Sequence, residues 1–162
     1  MTFDLLLDQG VLLPSALPLA FGLQRVEVLD VCHAADIHDV FVCGTVWAIA
    51  FETGGIIVTM SAATARGLDA VSFRRTDSAV GTMPVALDNV DLFGWPTDDV
   101  VTALADSHLV ERPAPTNAWI DHRRVLLHCD SSDGSNNSAR RRPKRAPTPY
   151  FDFACLYSPH HP

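Results

Sequence analysis

A repeated stretch constrains this chain more than any other feature of its sequence. Phe-Gly and an apolar residue occur at Phe21, and an acid, a valine and another apolar residue follow a few positions later. The same pattern begins again 72 residues later, at Phe93. A tryptophan follows each copy at the same offset. The matched pairs are Phe21 with Phe93, Gly22 with Gly94, Glu27 with Asp99, Val28 with Val100, and Trp47 with Trp119. The constant offset indicates an internal duplication in which two small units share one core.

The residues after each glycine predict a helix followed by short strands. The first helix is expected over residues 24–35, with Val28 and Cys32 on its apolar side. The second is expected after Pro96, with Thr97 as a cap and acids that complement the helix dipole. Residues 52–55 and residues 121–124 each read as the turn of a hairpin between apolar strands.

These elements predict an α+β fold of two similar units, each a helix packed on a small antiparallel sheet. The units are expected at about residues 20–74 and 90–130, within a single globular domain of residues 1–130. Residues 131–162 are rich in Ser, Asn and Pro and carry a basic run at 140–145. That composition predicts a disordered C-terminal tail, in which the basic run is a solvated segment rather than a nucleic-acid patch.

Charge is unevenly distributed along the chain. Residues 1–130 carry 7 Arg and 17 acidic residues, whereas residues 131–162 carry 5 basic and 2 acidic residues, which together give the net charge of −7. The acidic part argues against nucleic-acid binding; it either favours a basic protein partner or only keeps the protein soluble. No apolar run reaches the roughly 18 residues of a membrane span, and no export signal is evident, so we expect a cytoplasmic protein without membrane contact. The oligomeric state is left open.

The two glycine-containing stretches resemble a known family. Gly22-Leu23 with Glu27-Val28, and Gly94-Trp95 with Asp99-Val100, resemble the opening of BamE (SmpA/OmlA)-like units. Two such units in tandem look like the architecture of beta-lactamase-inhibitor-protein-like folds. The resemblance covers about residues 20–60 and 92–129; Thr97 does not occupy the family's threonine position, and the Leu-Gly-x-Pro that often ends the helix is absent. It implies an inhibitor or toxin-immunity type of protein, and it assigns no functional residue.

No catalytic set is evident, so the leading hypothesis is a small acidic protein-binding module without enzymatic activity or cofactor. Tryptophans such as Trp47, Trp95 and Trp119 are more often core anchors than contact residues. Trp95 follows a glycine at a helix start, and an exposed side chain there would be a natural binding anchor. The candidate binding residues are Trp95, Asp98, Asp99 and Asp121.

Two alternatives remain open. A metal-dependent enzyme would use the densest group of zinc-type ligands, Cys32, His33, Asp36 and His38. Against it, Cys32 is expected to face the core. A second group, His122 with His128 and Cys129, is weaker because His128 and Cys129 alternate on a strand and cannot bind one ion together. The other alternative is a structural component of a larger assembly.

Overall fold

A computed structural model describes residues 2–38, 41–43, 47–76, 83–129 and 150–161. Within these ranges, 44% of the residues lie in strands and 15% in helices. In chain order the elements are β1 (Phe3–Leu6), β2 (Gly10–Leu12), β3 (Pro18–Ala20), α1 (Arg25–Ala34), β4 (Phe41–Cys43), β5 (Trp47–Thr53), β6 (Ile56–Ala62), β7 (Ala70–Arg75), β8 (Val85–Leu87), β9 (Val90–Asp91), α2 (Thr97–Ala105), β10 (Val110–Ala114), β11 (Asn117–Ile120), β12 (Val125–His128) and β13 (Phe153–Tyr157).

Eight strands form the larger sheet, in the order β10-β11-β12-β13-β7-β6-β5-β4. All neighbouring strands in it are antiparallel. It therefore consists of two four-stranded meanders, β4 to β7 and β10 to β13, which meet where β13 pairs with β7. At that junction Phe153 lies opposite Arg74 and Tyr157 lies opposite Ala70. The strand from the end of the chain thus makes the two halves one continuous sheet.

One face of the larger sheet is apolar because its strands alternate between buried and partly exposed residues. In β6 the buried positions are Ile56, Val58, Met60 and Ala62, and the residues between them are partly exposed. This period of two is the pattern of a strand with one face on a core. The sequence of β6 thereby fixes its register, since a shift by one residue would expose all four apolar side chains.

The smaller sheet has five strands in the order β3-β2-β1-β8-β9. Only β1 and β8 pair in parallel among its described strands. The rings of Phe3 in β1 and Phe73 in β7 lie 5.3 Å apart, and both side chains are fully buried. The two sheets therefore share one core, and burying each phenylalanine contributes roughly 2–3 kcal/mol.

The two helices begin 72 residues apart, at Arg25 and Thr97, which is the offset of the repeated stretch. At the start of α1, Glu27 Oε2 accepts the backbone N–H of Gln24 at 2.7 Å, which satisfies a donor that the helix leaves free. Each helix buries side chains four residues apart, Val28 and Cys32 in α1 and Val100 and Leu104 in α2. Helix α1 packs beside β3, and α2 packs beside β9 and β10. Neither helix in the described part is long and apolar enough to cross a bilayer.

The repeated glycines serve two different physical purposes. Gly22 has a φ of +87° with open space beside it, so its requirement is the left-handed backbone conformation. A Cβ on Gly94 would instead lie 2.2 Å from Asp91 Oδ2. Asp91 Oδ1 accepts the backbone N–H groups of Phe93 and Gly94, each at 3.1 Å. Gly94 therefore keeps the chain close to the carboxylate that holds the turn before α2.

The expected fold class, α+β with two helix-on-sheet units, is wrong. The predicted helices and hairpins are present, but the strands of both halves assemble into shared sheets. Residues before the first repeat, together with β8 and β9, form a second sheet over the core. The fold is therefore mostly β, because strand pairing between the halves replaces the packing of each helix on its own small sheet.

The expected disordered tail is wrong for its last part. Phe153–Tyr157 forms β13, which lies between β12 and β7 inside the larger sheet. Ala154 and Leu156 are fully buried. The basic run at residues 140–145 lies outside the described residues.

Replacing Leu156 tests the place of β13 in the core. Leu156→Ala should lower the free energy of unfolding by about 3 kcal/mol, because a fully buried leucine leaves a cavity. Leu109→Ala is the control, since Leu109 is 48% exposed, and it should change stability by less than about 0.5 kcal/mol. Urea denaturation measures both. Equal stabilities for the two variants would contradict a buried β13.

Candidate functional site

A cleft lies where the β11–β12 hairpin meets the segment that follows β13. We call it the hairpin cleft; its lining residues are Trp119, His122, Arg123, Arg124, Tyr157, Ser158, Pro159 and His161. Its volume of about 540 Å³ falls within the roughly 300–1,000 Å³ typical of small-molecule sites. The backbone N–H of Tyr157 donates to the carbonyl of Arg124 at 2.8 Å, which joins the two sides of the cleft.

Aromatic rings form a continuous row along the hairpin cleft. Tyr157 is the centre of the row, with its ring 6.2 Å from that of Trp119 and 4.7 Å from that of His161. Trp119 and Tyr157 share the outer face of the sheet, because the neighbours Ile120 and Leu156 are the buried partners in each strand. The row therefore presents rings on the face that turns away from the core.

Two arginines make this part of an acidic chain cationic. The guanidinium carbon of Arg123 lies 5.9 Å from the ring centroid of Trp119, within cation–π distance. Arg123 has no carboxylate partner among the described residues. Arg124 Nη2 lies 3.5 Å from Asp8 Oδ1, and that aspartate side chain is 61% exposed. A surface pair at this distance is weak, so both guanidinium groups can bind an added anion.

The backbone of the hairpin is strained at three consecutive positions. Asp121, His122 and Arg123 have φ values of 47°, 52° and 72°. The corresponding turn of the other meander, between β5 and β6, uses Gly54 and Gly55 at φ values of 54° and 74°. Glycine takes this conformation freely, whereas other residues lose about 1–2 kcal/mol each, aspartate less than most. The β11–β12 hairpin thus has residues other than glycine at these positions, despite the strain.

A buried histidine holds this hairpin against the smaller sheet. The His108 side chain is 7% exposed; its Nδ1 lies 2.6 Å from Asp121 Oδ2 and its Nε2 lies 2.9 Å from Asp88 Oδ2. Asp121 Oδ1 also accepts the backbone N–H of Leu109 at 2.9 Å. Each ring nitrogen of His108 thus lies within hydrogen-bond distance of a different carboxylate. His108 therefore links the β8–β9 turn to the hairpin that lines the cleft.

Asp69 is a buried residue beside the segment that carries His161. Asp69 is 5% exposed, and its Oδ2 accepts the backbone N–H of Ala63 at 2.8 Å. Its Oδ1 lies 3.5 Å from His161 Nδ1, and neither of these two atoms has a hydrogen-bond partner in the described part of the chain. The backbone N–H of Ser158 donates to the Asp69 carbonyl at 2.8 Å. Asp69 therefore fixes the segment that carries His161 into the cleft.

The ionisable groups of β13 remain protonated at neutral pH. Burial raises the pKa of Cys155 from 9.0 to about 11; a hydrogen bond with Tyr157 opposes the shift and the charge of Asp69 adds to it. Burial, together with Cys155, raises the pKa of Tyr157 well above its usual range. Because the thiolate is the nucleophilic form, Cys155 is unreactive here. Cys155 therefore supplies no nucleophile beside Tyr157.

The candidate binding residues of the sequence lie at two places. Trp95 is 45% exposed before α2, and Asp98 and Asp99 are exposed in the first turn. Asp98 Oδ1 accepts a hydrogen bond from Arg112 Nη1 at 2.7 Å. Asp121 is separate from this group because its carboxylate bonds His108 and Leu109. The structure thus joins three of the four residues on one surface.

The proposed metal ligands do not converge on one point. Cys32 is fully buried in α1, as expected, and burial raises the pKa of its thiol. Asp36 and His38 are exposed and hydrogen-bond each other at 2.8 Å. Within the described ranges, no three His, Cys, Asp or Glu side chains are grouped to hold a metal ion. In the second group, His128 Nδ1 pairs with Asn117 Oδ1.

Comparisons with known proteins add no assignment: no family model, curated protein or solved structure matches this chain.

Sequence reasoning named Trp119, His122 and the turn at 121–124, but it did not predict that they line a cleft with Tyr157 and His161. The turn at 121–124 was recognised as a hairpin. It contains no glycine, whereas the other copy has Gly54 and Gly55, and this difference was the available signal of a special role for its side chains. Tyr157 and His161 carried no such signal, because their place depends on the pairing of β13 with β12 and β7.

Removing His108 tests the link between the two sheets. His108→Ala should lower the free energy of unfolding by about 1–2 kcal/mol, since the contacts of a buried ring with the Asp121 and Asp88 carboxylates are lost. His33→Ala, on the exposed side of α1, is the matched control and should have little effect. Chemical denaturation compares the two, and equal effects would contradict the bridging role.

Proposed function

We propose that this chain is a non-enzymatic protein-binding module that recognises a basic surface on a partner protein. The observation that carries the proposal is the exposure of two large aromatic residues whose backbones the fold brings together. Pro96 and Tyr150 form an antiparallel bridge, so the backbone of Tyr150 lies opposite the residue that follows Trp95, although the two aromatic residues are far apart in sequence. Trp95 is 45% exposed and Tyr150 is 46% exposed. We call Trp95, Tyr150, Asp98 and Asp99 the α2 surface.

Aromatic pairs of this kind are typical anchors of protein interfaces. Tryptophan and tyrosine bury large areas with little loss of side-chain entropy, and their polar groups can pair with the partner. Four large apolar side chains are substantially exposed in the described part of the chain, and Trp95 and Tyr150 are two of them. Their exposure at segments that the fold brings together favours a specific contact over chance exposure.

The charge of the α2 surface supports a basic partner. Asp98 and Asp99 both lie in the first turn of α2. Asp98 is bound by Arg112, whereas the Asp99 carboxylate accepts no hydrogen bond from the described residues. With a net charge of −7 on the chain, the field around this surface would steer a cationic partner toward it. An inhibitor or toxin-immunity protein that covers a basic surface would act in this way.

Site-specific cross-linking in cells tests the proposal. A photoreactive phenylalanine analogue at position 150 should cross-link to one protein of basic surface charge. The same analogue at position 26 is the control, because Val26 is 63% exposed in the first turn of α1. Equal cross-linking from both positions, or none from position 150, would sink the proposal.

Two substitutions then measure the contribution of the α2 surface. Trp95→Ala should weaken partner binding by about 2 kcal/mol, as expected for loss of a hot-spot aromatic residue. Asp99→Lys should weaken binding more at low salt than at high salt. Asp30→Lys makes the same charge change at an exposed position of α1 and should leave the affinity nearly unchanged. Calorimetry with the purified partner gives these values, and equal effects of both lysine variants would contradict a contact at Asp99.

A further inference from the structure

We infer that the hairpin cleft is a binding site for a small aromatic compound that carries a phosphate group, such as an aryl or nucleoside phosphate. This inference does not rest on the proposed partner at the α2 surface, since the two sites share no residue. It rests on three features of the cleft: its two arginines, its row of rings, and the strained turn that carries the arginines.

The cationic groups provide the recognition of phosphate. Arg123 has no carboxylate partner in the described part of the chain, and Arg124 has only the exposed Asp8 at 3.5 Å. The two residues are adjacent on the hairpin, and His122 beside them is exposed. Guanidinium groups bind phosphate oxygens through paired N–H donors, which a single ammonium group cannot match. An anionic ligand would therefore find its counter-charge here, on an otherwise acidic chain.

The rings provide the recognition of an aromatic group. The Trp119, Tyr157 and His161 rings form a row with centroid spacings of 6.2 and 4.7 Å. A planar ligand ring can stack beside such a row, and base–aromatic stacking tolerates different ring chemistries. The volume of about 540 Å³ is sufficient for a mononucleotide-sized compound.

The turn provides an internal comparison between the two halves of the molecule. In the β5–β6 hairpin, Gly54 and Gly55 adopt the left-handed backbone conformation, which glycine takes at no steric cost. The β11–β12 hairpin holds His122 and Arg123 in that conformation, and His108 and Asp121 secure it. Strain that is kept where side chains line a cleft is typical of a binding or catalytic position.

Titration with defined probes tests the inference. Adenosine 5′-monophosphate and phenyl phosphate are added separately to the ¹⁵N-labelled full chain. Adenosine is the control without a phosphate group, and inorganic phosphate is the control without an aromatic ring. The readout is the indole N–H signal of Trp119, assigned by its loss in Trp119→Phe. Saturable shifts with one or both aromatic phosphates, and much weaker binding of adenosine and of inorganic phosphate, are expected. A response to only one of the two aromatic phosphates identifies the ring system that the cleft accepts.

A pair of arginine variants assigns the site. Arg123→Gln should weaken the binding of the responding phosphate by about tenfold or more, because a charge-assisted contact is lost. Arg25→Gln makes the same change at an exposed position of α1 and should leave binding unchanged. The inference is overturned if neither aromatic phosphate shifts Trp119, if inorganic phosphate binds equally well, or if the two variants bind alike.

Discussion

The pairing of β13 with β7 is the interaction on which the rest of this structure depends. Each half of the chain builds a meander of four strands, and neither meander alone would bury its apolar face completely. Because Phe153–Tyr157 pairs with Ala70–Arg75 over its whole length, the two meanders become one sheet with one core. The same register sends Ala154 and Leu156 inward and leaves Tyr157 on the outer face, so stability and the hairpin cleft have a common origin.

The two halves share the positions of their helices and differ in the residues of their exposed turns. Both helices bury side chains four residues apart, and their starts keep the offset of 72 residues. The first half closes its central hairpin with two glycines, whereas the second half uses charged residues there and exposes Trp95 before its helix. Both candidate sites therefore lie largely in the second half: an acidic, aromatic α2 surface and a cationic, aromatic hairpin cleft. Their opposite charges suit them to different ligands.

Local patterns in the sequence predicted the local structure well. Periodicity and turn residues located both helices, the 52–55 hairpin and the β11–β12 hairpin, and the buried position of Cys32 followed from its helix face. These features depend on neighbours within a few residues. The sequence left open whether Trp95 is a core anchor or an exposed contact residue, and the structure shows that it is exposed.

The assembly of the strands could not be predicted in the same way. Pairing of β1 with β8 and of β13 with β7 joins residues about 80 positions apart, and no local pattern specifies such partners. The apolar stretch that contains Phe153 and Leu156 follows a polar, proline-containing segment, so composition favoured disorder where tertiary pairing supplies a strand. The hairpin cleft was missed for this reason, because Tyr157 and His161 reach it only through β13.

Amide hydrogen exchange of β13 tests the account most directly. Ala154, Cys155 and Leu156 lie between two hydrogen-bonded neighbours, β12 and β7. Their amides should include the slowest to exchange, with protection similar to that of Val58 in β6, because they open only when the sheet opens. Exchange at the rate of an unstructured peptide at these three residues would contradict the central strand, and with it the shared core and the hairpin cleft.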